Sequence, residues 1–160
     1  MKHCFFALSL ALLLTTALPG MGQDMPTGIK VTSTLHDDGS RTDLQTDYDA
    51  LTAESKTYNS AKKLIQSATY TINAQGKILE GVIYNAKGQI AGQVAYTYDP
   101  QGRMKEQLDK SADGKLLRRL VYYFDANGRV SGIDTYDGQG TLLQASGSSL
   151  NKKKVHPARK

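Results

Sequence analysis

The sequence predicts an all-β chain: an antiparallel β-meander of repeated hairpins, forming an open twisted sheet with curling left as an alternative, preceded by a signal peptide. Three observations lead there. "YTYDPQGRM" at Tyr96 to Met104 returns in close likeness as "YYFDANGRV" at Tyr122 to Val130. Glycines fall in two columns, Gly76, Gly102 and Gly128, then Gly88, Gly114 and Gly140, which alternate along the chain at two regular spacings. The segments between them are rich in β-branched and aromatic side chains, which suit a half-buried pleated strand. Repetition at such a period marks stacked supersecondary units.

The chain opens with Lys2, an apolar run from Cys4 to Leu14 and the small residues of "TTALPGMG", with Gly20 and Gly22 at −3 and −1 positions. This is the pattern of a secretory leader over residues 1–22. The run is shorter than the ~20 residues needed to cross a bilayer, so no transmembrane helix is expected after leader removal. Cys4 is the only cysteine and lies in the leader. The mature chain then has no thiol for a disulfide, a zinc-thiolate site or nucleophilic catalysis.

Residues 23–43 form an N-terminal segment and edge strand, and residues 44–144 hold the repeats. Each repeat glycine closes a four-residue cluster: "NAQG", "NAKG", "DPQG", "SADG", "DANG" or "DGQG". Asp, Asn or Ser first and Gly last are the residues of a type I turn whose glycine supplies positive φ for a bulged hairpin. A degenerate row begins at Leu44, where Lys62 stands in the glycine column. Three-residue bulged loops place Asp99 opposite Arg103 and Tyr98 opposite Met104. Every turn glycine is even-numbered, so both spacings preserve parity. Even-numbered residues are therefore expected on one apolar face throughout and odd-numbered ones on a polar face. On the same reading Gly102→Val costs more stability than Gly92→Val, Gly92 being a mid-strand position that suits valine.

The run Tyr98-Asp99-Pro100-Gln101-Gly102-Arg103-Met104 resembles the YD repeat of the rearrangement-hot-spot (Rhs) family. Phe124 to Val130 is a second match with Phe for Tyr, and Ile72 to Ile78 a degenerate third. The likeness covers Tyr70 to Leu143, and its unit, the step from Tyr96 to Tyr122, is longer than the usual one. It implies antiparallel hairpins and bacterial export. No toxin domain follows the repeats, and there are too few units to close a shell.

Chemistry is sparse. His36 sits in a turn-like "LHDDGS" and His156 in the tail, without a nucleophile or ligand set beside them. Asp37, Asp38, Asp43, Asp47 and Asp49 are oxygen-rich, as Ca²⁺ requires, but lack the spacing of an EF-hand loop and read as solvated turn residues. Glu80 and Glu106 share a repeat column. Glu106 is expected opposite Tyr96 and diagonal to Arg118, a structural polar patch rather than an acid pair for glycoside hydrolysis. No catalytic, metal or cofactor site is assigned. The candidate ligand-binding face is the aromatic ladder Tyr70, Tyr84, Tyr96, Tyr98, Tyr122, Phe124 and Tyr136, whose rings could stack on sugar or peptide or could instead pack neighbouring strands.

These readings point to an exported, non-enzymatic β-repeat protein, periplasmic, secreted or at the cell surface, that binds carbohydrate or protein. The alternative is a structural or assembly component of a cell envelope or a larger Rhs-like complex, self-associating through edge strands. The net charge of +5 belongs to the ends. Removing Lys2 and the tail cations Lys152, Lys153, Lys154, Arg159 and Lys160 leaves 14 basic against 15 acidic side chains in residues 23–151. Residues 145–160 read as a disordered basic tail for an anionic envelope polymer, with nothing that would recognise a nucleic-acid sequence. Polyanion binding should therefore reside in those five cations and weaken as salt rises through counterion release. Titration of a polyanion against the full chain and a tail-deleted chain, at low and high salt, measures both effects.

Overall fold

The computed structural model describes residues 25–146. The expected leader over 1–22 and the tail cations Lys152, Lys153, Lys154, Arg159 and Lys160 lie outside the described residues. The described chain forms ten strands: β1 (Ile29–Leu35), β2 (Arg41–Asp47), β3 (Thr52–Tyr58), β4 (Leu64–Ile72), β5 (Ile78–Asn85), β6 (Ile90–Tyr98), β7 (Met104–Lys110), β8 (Leu116–Phe124), β9 (Val130–Asp137) and β10 (Leu142–Gln144). They lie in one open sheet in chain order, each pairing antiparallel with its neighbour. No helix occurs among the described residues. The meander reaches further toward the N-terminus than the repeat rows: residue 44 falls inside β2, and Gly39 of "HDDG" closes the β1–β2 turn with φ 77°.

The turn chemistry is that of a type I turn with a left-handed fourth residue. Gly102 N donates to Asp99 O at 2.8 Å, Asp99 N to Arg103 O at 2.9 Å, and Gly102 has φ 74°. All six predicted cluster glycines have φ between 74° and 86°. Lys62 adopts φ 60° in the glycine column, a left-handed conformation that crowds a Cβ.

The even-odd division does not persist. Tyr98 faces Met104, yet Thr97 faces Glu106, so Lys105 is an extra residue in the returning strand. The same shift by one position occurs at Ile65, Leu79, Ala91, Leu117 and Ser131. Each such β-bulge reverses which parity faces which side. One face, the core face, therefore carries even residues of β4, β6 and β8 but odd residues of β5, β7 and β9. Tyr70, Ile72, Val94, Tyr96, Tyr98, Leu120, Tyr122 and Phe124 lie there with Ile83, Asp109 and Asp137. Val82, Tyr84, Leu108 and Tyr136 lie on the opposite face.

The sheet is a single layer, so burial arises between side chains of adjacent strands. The buried apolar residues are Ala53, Ala68, Tyr70, Ile72, Val94 and Tyr96, all on the core face over β3 to β6. A row of directly facing residues, Thr46, Ala53, Tyr70, Gly81 and Val94, explains how. The Tyr70 ring lies over Gly81, where a Cβ would come within 2.2 Å of its Cδ1. Gly92 is likewise a position of close approach: a Cβ there would meet the Lys110 carbonyl oxygen at 2.9 Å. Valine at Gly92 is thus obstructed by backbone, and the ranking of Gly102→Val above Gly92→Val loses its basis.

At the C-terminal edge, Ser146 Oγ accepts from Ile133 N at 2.9 Å and donates to Ile133 O at 2.7 Å. A tail deletion that spares the fold must start after Ser146. The strain at Lys62 can be measured: Lys62→Gly is expected to stabilise the protein by about 1 kcal/mol, because glycine adopts positive φ without steric cost. Denaturant melts of the two proteins measure the difference.

Candidate ligand-binding site

On the core face the repeated segments Tyr98 to Met104 and Phe124 to Val130 tie neighbouring hairpins together. Asp99 accepts from Arg103 N at 2.8 Å and from Arg103 Nε at 2.6 Å, which aligns the turn and holds the guanidinium. That guanidinium stacks 4.5 Å from the centre of the Phe124 ring in the next hairpin. One repeat earlier, Lys77 sits 5.3 Å from the Tyr98 ring centre and its Nζ donates to Gly102 O, while Tyr98 Oη donates to Ile78 O at 2.7 Å. The cation following Gly76 or Gly102 thus covers the aromatic residue preceding the next turn of the same column. The two pairs, Lys77 with Tyr98 and Arg103 with Phe124, repeat one relation between turns that the repeat rows alone did not disclose.

The aromatic ladder divides by face and burial. Tyr70 and Tyr96 are 6% and 9% exposed, so they pack within the core. Burial raises the Tyr96 phenol above its ordinary range, with Tyr70 and Asp109 adding to the rise; burial raises Tyr70 as well, opposed by the Ser55 hydroxyl. Tyr98, Tyr122 and Phe124 are half-buried on the same face, and Tyr122 Oη lies 3.3 Å from Gln107 Oε1. Tyr84 and Tyr136 are half-buried on the other face, and Tyr136 lies under Arg119 at 4.5 Å.

That opposite, open face holds a trough of about 470 Å³ across β3 to β7. Two rows of facing residues line it. One runs Thr52, Thr71, Glu80, Ala95; the other runs Thr69, Val82, Gln93, Lys110. Thr52, Thr69, Thr71 and Glu80 are exposed, and Gln93 and Lys110 are half-buried. A second hollow lined by Gln45, Asp47 and Glu54 adjoins it over Thr52 and Thr69. The surface therefore offers hydroxyl, amide, carboxylate and ammonium groups over a small apolar floor of Val82 and Ala95. The sequence reading missed it because the bulges, not the spacing, decide that these residues share a face.

Glu106, His36, Asp38, Asp43, Asp47 and Asp49 have structural partners. Glu106 faces Thr97 and Val121, and pairs with Arg119 at 3.6 Å rather than lying opposite Tyr96 and near Arg118. Arg118 instead faces Asp109 and donates to it from Nε at 2.7 Å. Nε2 of His36 contacts Thr42 Oγ1 at 2.9 Å. Asp38 holds the Ser40 amide and hydroxyl, Asp43 the Ser33 hydroxyl and Arg41, Asp47 the amides of Asp49 and Ala50, and Asp49 the Gly28 amide. No group of three or more His, Cys, Asp and Glu gathers as a metal site among the described residues. Asp134 is fully buried; it accepts from Tyr123 Oη at 3.1 Å and from Ser146 N at 3.2 Å.

A comparison with protein-family models finds no match to this chain, and a comparison with curated proteins finds none either.

The turn carboxylates couple stability to acid. For Asp99, burial works to raise the carboxyl, but the amide and guanidinium of Arg103 outweigh it and hold the group below its usual 3.8. The Ser40 hydroxyl and amide lower Asp38, the Ser111 hydroxyl lowers Asp113, and the Thr141 amide lowers Asp137. A carboxyl lowered by folding contributes stability that is complete above its unfolded pKa and lost as pH falls through the folded one. Melting temperature should therefore hold down to about pH 4 and fall below it. Asp99→Asn should flatten part of that acid limb, since asparagine already forms this turn at Asn73, while losing about 0.2–1 kcal/mol of ion pairing near neutrality. Melts of both proteins from pH 7 downward test the two effects.

Proposed function

We propose that this protein is an exported, non-enzymatic β-repeat binding module of the YD-repeat kind, and that its ligand is a hydroxyl-rich carbohydrate of the cell envelope or extracellular space. The observation that carries the reading is the trough on the open face, where three exposed threonines, Glu80, Gln93 and Lys110 converge over Val82 and Ala95. Sugar hydroxyls both donate and accept hydrogen bonds, and a concave surface with a few converging polar groups over an apolar floor meets that need. The groups sit on strands paired on both sides, so little ordering is required on binding.

Export rests on the leader pattern of residues 1–22 and the YD-repeat assignment on Tyr98 to Met104 and Phe124 to Val130. The half-buried rings of the core face serve the fold, so the ladder contributes to binding through Tyr84, two positions along β5 from Val82. The basic tail adds a salt-sensitive attraction to anionic polymers. Protein ligands use the same trough only as extended segments that present comparable hydrogen-bonding groups.

A glycan array with the full chain, followed by titration of the hits, tests the proposal. Glu80→Arg and Thr69→Arg, which fill the trough from exposed positions, should each weaken binding about tenfold or more, the loss of roughly 1.4 kcal/mol. Substituting Lys87, on the exposed β5–β6 turn, should leave binding unchanged. Glycan affinity indifferent to both trough substitutions would remove the trough as the site.

A further inference from the structure

The two ends of the sheet are finished differently. At the C-terminal end, β10 is only three residues long, and Ser146 bonds both backbone groups of Ile133 on β9. At the N-terminal end, β1 is a seven-residue edge strand without proline, and every residue in it is exposed. Ile29, Val31 and Leu35 are 64%, 63% and 76% exposed, and they share one face of the strand with Ser33. A long, regular edge with an apolar side is a template for another strand.

The backbone bonds set which pairing is available. His36 N donates to Ser40 O, and Tyr48 N to Gly28 O, at the two ends of an unshifted β1–β2 ladder. Pairs in an antiparallel ladder alternate between bonded and non-bonded, so even-numbered residues of β1 bond inward to β2. The amides and carbonyls of Ile29, Val31, Ser33 and Leu35 consequently point out of the sheet.

We propose that two copies of this chain join β1 to β1 antiparallel about a two-fold axis at Thr32, forming one continuous sheet. In that register Ile29 meets Leu35 of the second copy and Val31 meets Ser33, so every outward group meets an outward group. Lys30, the one charged residue of β1, falls opposite Thr34. The two Lys30 side chains stand about 13 Å apart along the strands, four positions at ~3.3 Å each, beyond a Debye length. A head-to-tail join of β10 to β1 would match a three-residue strand against one of seven. The axis is perpendicular to the sheet, so both troughs open on the same side, independently of what they bind.

Sedimentation of the purified full chain from about 1 to about 100 µM should show a dimer that dissociates on dilution. Val31→Pro removes an outward amide that β2 does not use, and should be monomeric throughout with an unchanged melting temperature. In a Cys4→Ser background, Thr32→Cys should form a disulfide-linked dimer under mild oxidation, because facing residues of a non-bonded pair lie about 4.5 Å apart. Ser33→Cys, opposite Val31, should not. A wild-type monomer at every concentration, a Val31→Pro dimer as tight as wild type, or cross-linking through Ser33→Cys instead of Thr32→Cys would each overturn the proposal. If Val31→Pro misfolds, the cysteine pair decides alone.

Discussion

A single-layer sheet has no second layer to pack against, and the rest of this structure follows from that shortage. Apolar surface must be covered by side chains on neighbouring strands of the same face. Large rings beside very small residues are the available solution: Tyr70 lies over Gly81 with Ala53 on its other side, and Ala68 is wholly buried between Ser55 and Ile83. Hydrophobic stabilisation scales with apolar area removed from water. Here that removal is concentrated over β3 to β6, the stretch in which the buried apolar residues lie.

The stapling of hairpin to hairpin answers the same constraint at the sheet margin. Beyond the buried centre, stability depends on contacts between successive units, as in other linear repeat proteins. Lys77 over Tyr98 and Arg103 over Phe124 supply such contacts at one end of the strands, and Arg119 over Tyr136 adds another on the opposite face. Each cation is fixed by the turn or strand that presents it, so little side-chain freedom remains to be lost. The Asp of the motif acts within the turn; the aromatic residue and the cation act between turns. This gives the repeated residues of the YD-like segment a physical reason for recurring together.

Function, on the proposed reading, occupies the face that the packing leaves open. The bulges that move Ile83, Asp109 and Asp137 to the core face place Glu80, Val82, Gln93 and Lys110 together on the other. A sheet whose two faces differ in this way can bury one side and hydrogen-bond with the other. The long edge at β1 and the short edge at β10, where Ser146 bonds Ile133, make its ends unequal too.

The sequence by itself determined the all-β meander, the six glycine turns and the local pairing of Asp99 with Arg103, because turn chemistry acts over a short span of chain and depends on backbone geometry that only certain residues adopt. Lys62 followed the same logic in weaker form: its place in the glycine column marked a turn even though its side chain resists the required φ. What only the tertiary structure decided was the sharing of faces. One extra residue after a turn reverses every side chain beyond it, and residues such as Leu79, Lys105 and Ser131 carry no chemical mark of being extra. Glu106 therefore met Arg119 instead of Arg118, and the polar trough assembled from residues whose numbering alone had separated them. Register is settled by the combined packing and hydrogen bonding of adjoining strands, a property of the pair that neither strand's sequence contains.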